Sequence, residues 1–422
     1  MVGALGTTLP GDLSGTVEVS GRAGLVPQAP GDAVVAERVG RDVAFGPENL
    51  GVDRDTIWTR VDEALESVGL RQGRDHPTSA LSGGELQRLA LAGVLAMRPD
   101  VVLLDEPTSM LDAEHAASVR DAVARTVAAD GSTLVVVEHR IEPWLDLVDR
   151  VVVLGADGTV IADLPPDRFV AEHRDRLGDL GVWMPGLPAP TPVELPVEWV
   201  RPERVVDRVG WHDLTVDLVS RSLRGGTTTR ALDGVDAVVS GGRVAAISGP
   251  SGAGKSTLLA ALAGLVRPVS GRWEGPDRPF DRRRPRDLAA DVGWVTQLPE
   301  HGFVASTVRE EVATTPQRLG RGVDADGLLE VLGLGRLAGV HPYRLSGGEQ
   351  RRLSLATAVA HRPGVVLLDE PTVGQDRLTW AAVVGLATSA ARAGAVVTTA
   401  THDDLLVGLA DDRIRLERGR RA

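Results

Sequence analysis

The chain has no cysteine, so disulfides and thiolate metal sites are excluded, and this usage suits a reducing compartment. No apolar run approaches the ~20 residues needed to span a bilayer. The first fifteen residues lack both a basic stretch and a long apolar stretch, so no secretory signal is visible. Positive charge is also short: the net charge is −12 and the pI about 5.3, which argues against nucleic acid as a main partner. The remaining composition, 43% hydrophobic and 25% charged over 422 residues, is that of two or three globular domains with cores of their own.

Among the basic residues lysine is nearly absent. Lys255 is the single one, and all the other side chains among the 46 basic residues are arginine. It lies in Gly249-Pro250-Ser251-Gly252-Ala253-Gly254-Lys255-Ser256-Thr257, which fits the phosphate-loop pattern G-x-x-x-x-G-K-[ST]. A compact ammonium fits between two phosphates, whereas a planar guanidinium is too wide and rigid for that cradle. The retained lysine therefore reads as a ligand for a nucleoside triphosphate.

A long internal repeat organises the chain. Leu81-Ser82-Gly83-Gly84-Glu85 recurs as Leu345-Ser346-Gly347-Gly348-Glu349, and Val101-Val102-Leu103-Leu104-Asp105-Glu106-Pro107-Thr108 recurs from Val365 to Thr372. A repeat of this length means duplicated domains. Prolines at 185, 188, 190, 192, 196 and 202 predict a stiff, extended linker. The expected boundaries are a first domain over 1–178, a linker over 179–205 and a second domain over 206–422. In the second copy, Val244–Ile247 feeds the phosphate loop, Leu258–Leu265 continues as helix, and Val365–Leu368 and Ala395–Thr399 read as buried strands. That alternation predicts an α/β fold with a mainly parallel sheet. In the first copy, Ser14-Gly15 matches Ser270-Gly271, which puts the counterpart of Lys255 before Met1. The expectation is a truncated start rather than evolved loss, because removing the loop's strand would open a sheet edge.

The ordered set of phosphate loop, glutamine loop, Leu-Ser-Gly-Gly signature, V-V-L-L-D-E strand and downstream histidine resembles the ATP-binding cassette (ABC) family of P-loop ATPases. The resemblance covers nearly the whole chain outside the linker, and the first copy has every element but the phosphate loop. Backbone N–H groups from Gly252 to Ser256 are expected to form an anion nest at a helix N-terminus. Lys255 is expected on the β- and γ-phosphates of ATP, Ser256 and Asp369 on Mg²⁺, and Glu370 on the attacking water. By resemblance, His402 is the switch histidine that contacts the γ-phosphate. By resemblance too, Gln297 senses the metal and the attacking water. In the first copy the resemblance picks out Gln28, Asp105, Glu106 and His139.

The signature supplies a serine and two glycines that let backbone approach phosphate closely. In the family this element completes the nucleotide site of the opposite domain, which assigns Ser82, Gly83 and Gly84 to the nucleotide on Lys255, and Ser346, Gly347 and Gly348 to the other. One departure is Val373-Gly374-Gln375-Asp376, where the first copy has Ser109-Met110-Leu111-Asp112. Trp211 is the only local aromatic for stacking adenine and sits poorly in register, so ATP over GTP follows from the resemblance alone.

Val26-Pro27-Gln28, the run Val43 to Gly51, Gln297-Leu298-Pro299-Glu300 and Glu138-His139-Arg140 resemble energy-coupling-factor transporters, which import vitamins and transition-metal ions. That implies two partners, a transmembrane coupling subunit and a substrate-binding membrane subunit, with this chain peripheral on the cytoplasmic face of the membrane. Competing readings are a soluble tandem cassette with no transport role, disfavoured by the short linker and absent cysteines, and a regulatory module that does not turn over. The arginine runs 282–286 and 413–421 read as solvated surface.

Overall fold

Valine- and leucine-rich runs become strands wherever helices cover them, and the computed structural model describes these in residues 16, 18–28, 30–108, 111, 113–155, 158–222, 225–297 and 299–422. The repeat positions Ser14-Gly15, Ser109-Met110 and Asp112, and Leu298 of the glutamine loop, lie outside the described residues. The chain divides into a unit over 1–187 and a unit over 188–422.

In the first unit, β1 (Ala23–Val26), β2 (Val101–Asp105) and β3 (Thr133–Val137) form a parallel sheet with β2 in the middle. Val43, Val61, Leu89, Val102 and Leu104 are fully buried where helices 39–49, 54–67 and 83–96 meet it. A hairpin, β4 (Val151–Leu154) and β5 (Val160–Leu164), makes a sheet by itself and packs with helix Pro166–Asp179 through Ala162, Phe169 and Leu177.

The second unit adds β6 (Arg208–Ser222), β7 (Gly225–Ser240), β8 (Val244–Ser248), β9 (Ser270–Glu274), β10 (Val292–Val295), β11 (Val365–Asp369), β12 (Val396–Ala400), β13 (Asp412–Glu417) and β14 (Arg420–Arg421). The order of its main sheet is β10-β11-β12-β8-β13-β14, parallel except for β14, and β7-β6-β9 form an antiparallel sheet. Every residue of β11 and β12 is buried, which explains their unbroken apolar spelling. The triplet β1-β2-β3 repeats β10-β11-β12. In the second unit the free edge of β12 is filled by β8, with Val397 beside Val244 and Ala400 beside Ile247. Among the described residues of the first unit, no strand holds that place.

The predicted helix Leu258–Leu265 runs instead from Lys255 to Leu262, ending before Gly264, whose φ of +72° breaks it. The proline-rich segment is extended, but from Pro188 onward it is packed into the second unit rather than left as a free linker. The Val193 amide donates to the Ala381 carbonyl at 2.9 Å and the Leu195 amide to Ser389 Oγ at 3.1 Å. Leu195 and Val200 enter the core, so the apolar residues between the prolines bind the segment down. Among the described residues no helix is long and apolar enough to cross a membrane.

Candidate functional site

The carboxyl end of the second unit's sheet gathers the chemistry. β8 runs into the glycine loop, and helix Lys255–Leu262 starts from it with Gly254 as its cap. Two glycines are required by space: a Cβ on Gly249, at φ +144°, would lie 2.1 Å from the Leu416 carbonyl oxygen, and one on Gly254, at φ +100°, would lie 2.8 Å from Leu232. Gly252, at φ +77°, is bounded by open space, so its backbone can face a ligand without a side chain intervening. Pro250, Ser251 and Ala253 complete the turn, with the Ala253 amide donating to the Pro250 carbonyl. Lys255 Nζ donates to the carbonyls of Gly249 at 2.9 Å and Pro250 at 3.2 Å, which holds the ammonium within the loop's curve. Thr257 follows on the first turn of the helix.

Beside the loop, Ser256 Oγ donates to Asp369 Oδ1 at 3.1 Å. Burial pushes the Asp369 carboxyl up to about 6; the Ser256 hydroxyl opposes this and the charge of Glu370 adds to it. Glu370 follows β11 in the left-handed region, φ +50°, and its amide donates to the Ala400 carbonyl. One carboxylate oxygen, Oε1, lies 2.9 Å from His402 Nδ1. The other, Oε2, is buried with no hydrogen-bond partner among the described residues. An ammonium held only by backbone carbonyls, a hydroxyl–carboxylate pair and a buried carboxylate oxygen with a free lone pair fit a magnesium–triphosphate and a water.

Gln297 lies in the loop after β10 with its side chain exposed, and no side-chain hydrogen bond joins it to Ser256, Asp369 or Glu370 among the described residues. Trp211 is buried in the core, donating to the Ala261 carbonyl and meeting Trp273 edge-on at 5.1 Å, so its indole is spent on packing. Of the arginine runs, Arg283 pairs with the buried Asp291 and Arg420 with Asp233 at 2.6 Å, so these members anchor structure.

The first unit repeats half of this arrangement. Glu106 has φ +48°, its amide donates to the Val137 carbonyl, and its Oε1 lies 3.0 Å from His139 Nε2. Burial raises the Asp105 carboxyl, with Glu106 adding to it. Gln28 is exposed after β1. Both signature serines are helix caps: Ser82 and Ser346 each accept from the amide three residues on, at Glu85 and Glu349, whose carboxylates bond back to the serine amides at 2.7 and 2.8 Å. Gly83 and Gly84, like Gly347 and Gly348, form the first turns that these caps hold in place.

Two residues of the sites were given no role by the sequence, Glu138 standing there only as part of the Glu138-His139-Arg140 stretch. Glu138 accepts from the Thr108 hydroxyl at 2.6 Å and its amide at 3.2 Å, and burial pushes its carboxyl up to about 7. Arg351, on the signature helix, donates to two backbone carbonyls in the site. The only signal for it was a charge on an otherwise apolar helix face, at a place where the repeat puts Gln87.

The family model described as ABC transporter matches residues 12–109 and 232–373, more than half of the chain. The chain belongs to the ABC transporter family. Its fold is accordingly the α/β P-loop ATPase fold in two tandem copies. A Bacillus subtilis protein named as an HMP/thiamine import ATP-binding protein is 31% identical to this ABC chain over 94% of it and 74% of its own length. A Streptomyces coelicolor protein named as an ABC transporter ATP-binding protein is 34% identical over 99% of this chain and 85% of its own. Among solved structures, one titled RNase-L Inhibitor aligns with a TM-score of 0.59 at 23% identity, covering 95% of this chain and 74% of that one, a likeness of fold alone.

Proposed function

We propose that this chain is the ATP-hydrolysing subunit of a membrane importer of the energy-coupling-factor type, with vitamins or transition-metal ions as cargo. The carrying observation is the cluster of Lys255, Ser256, Asp369, Glu370 and His402 at one sheet end. Lys255 and the amides of Gly252 to Ser256 hold the triphosphate, while Ser256, Asp369 and Gln297 hold Mg²⁺ directly or through its water. When bound, the metal neutralises charge developing on the transferred phosphoryl group. Glu370 Oε2 orients the attacking water and takes its proton, and His402 fixes the carboxylate through Oε1. In the first unit Glu106 and His139 keep this pairing without a phosphate loop. Ser82, Gly83 and Gly84, and likewise Ser346, Gly347 and Gly348, take the nucleotide-contacting role of the signature.

The import reading is supported by the name of the Bacillus subtilis relative. A membrane partner is also supported by exposed apolar side chains beside both glutamine loops, Val35 and Phe45 in one unit and Val304 and Tyr343 in the other. The chain would then sit on the cytoplasmic face of the membrane, held by a transmembrane coupling subunit and serving a substrate-binding membrane subunit.

The first test is binding of a fluorescent ATP analogue to the full chain and to Lys255→Arg. We expect the variant to lose at least tenfold in affinity. Equal affinity would remove the nucleotide assignment. The transport half is tested by co-expression with the membrane proteins encoded beside the gene, measuring ATP-dependent uptake of thiamine precursors and of cobalt into vesicles. Uptake of neither class refutes the importer reading.

A further inference from the structure

Resting on the reading of Glu370 as the base, we propose that Arg351 is a positioning residue that ties the backbone of Glu370 to the backbone of the glutamine loop. The signature helix Gly347–Ala360 buries an apolar face, with Leu353, Leu355 and Ala356 fully enclosed. Arg351 lies among them, 7% exposed. Its Nη1 donates to the Glu370 carbonyl at 2.5 Å and its Nη2 to the Gln297 carbonyl at 3.1 Å. Burying a guanidinium is unfavourable unless its donors are taken up, and packing alone is better served by leucine. The two carbonyls take up one donor from each terminal nitrogen, and the planar fork makes the two segments move together.

The repeat supplies the control. Gln87 stands at the matching place in the first unit, 1% exposed, with neither amide atom hydrogen-bonded among the described residues. Glu106 still adopts φ +48° there, so the left-handed turn does not depend on the arginine. What Arg351 adds is the tie to the loop, and it occurs in the unit that has a phosphate loop to serve. Glu106 also keeps its 3.0 Å contact with His139 without an arginine, so the part of Arg351 is to couple the Glu370 backbone to the glutamine loop rather than to make the carboxylate–histidine pair.

The experiment uses the full chain with Arg351→Gln, the first unit's own residue, and Arg351→Lys, which can reach one carbonyl at a time. ATPase kcat and KM, affinity for the fluorescent ATP analogue, and thermal unfolding are measured together. Loss of two charge-assisted bonds is expected to lower kcat roughly 10- to 100-fold in the glutamine variant, with KM and analogue affinity within about twofold. The lysine variant should recover part of kcat. Adding Arg351→Gln to Glu370→Gln should lower turnover no further, because the arginine acts through that glutamate. A kcat equal to the parent, or a loss of affinity matching the loss of kcat, overturns the proposal. If Arg351→Gln does not fold, Arg351→Lys decides: parental kcat overturns the proposal, and reduced kcat at unchanged affinity upholds it. The two readings separate cleanly: parental turnover in Glu370→Gln removes the base, whereas its loss together with parental turnover in Arg351→Gln removes only the tie.

Discussion

The two units place the same carboxylate–histidine pair at the end of the same strand, and among the described residues only the second has strands on both edges of the strand that follows. In the second unit β12 is buried along its whole length and bonded on both edges. In the first, Thr133 and Val137 at the ends of β3 are exposed, and Val137, Val152, Leu154 and Val160 are between 42% and 60% accessible. The comparison separates what makes the pair from what makes it useful. The V-V-L-L-D-E strand and the left-handed glutamate assemble alike in both units, whereas among the described residues the glycine loop and its lysine stand in the second.

The largest test of that difference is chemical. Glu370→Gln should cut steady-state ATP hydrolysis by about 10²–10⁴-fold, the range of a lost general base, while Glu106→Gln should change it less than about twofold. Equal losses would mean that both pairs turn over. The next test is amide exchange followed by mass spectrometry at pH 7. Thr133–Val137 should exchange at least tenfold faster than Val396–Ala400, because among the described residues β3 is bonded along one edge and β12 along both. Similar protection would show β3 to be covered.

Acidity sharpens the contrast with smaller effects of opposite sign. Burial and the Arg321 charge hold the His361 imidazole down at about 4. Its contribution to stability is complete above about pH 6.5 and is lost as pH falls toward 4, amounting to about 1–3 kcal/mol. Thermal unfolding of His361→Asn between pH 7 and 4.5 should be flatter than that of the parent. Glu138 is displaced upward, so it favours the folded state below about pH 4.5 and loses that effect as pH rises through 7. The smallest expected change is therefore a flattening of the pH 5–8 profile in Glu138→Gln. A parental profile would mean that Glu138 is ionised throughout.

Much of this was legible. The order of motifs gave the fold, and a lone lysine among arginines pointed to the glycine loop after β8, whose carbonyls hold it in the structure. Strands β11 and β12 announced themselves by continuous apolar spelling. The long hairpin of β6 and β7 did not, because its residues mix charge and valine and are held by pairing with β9. The part played by Arg351 and the bond of Glu138 to Thr108 were hidden for a related reason: the carbonyls and the threonine are brought near only by folding. Gln297 was singled out for a side-chain role toward metal and water, and what the structure adds is the bond its backbone carbonyl accepts from Arg351.

The proline-rich stretch has a practical bearing on dissection of the molecule. Because Val193 passes directly over Gly385, where any added Cβ would strike its carbonyl oxygen at 2.0 Å, this stretch is fitted to the helix beneath it. A gene fragment opened at residue 206 would peel that covering away and bare a greasy stripe. One opened at Pro188 would carry its own lid.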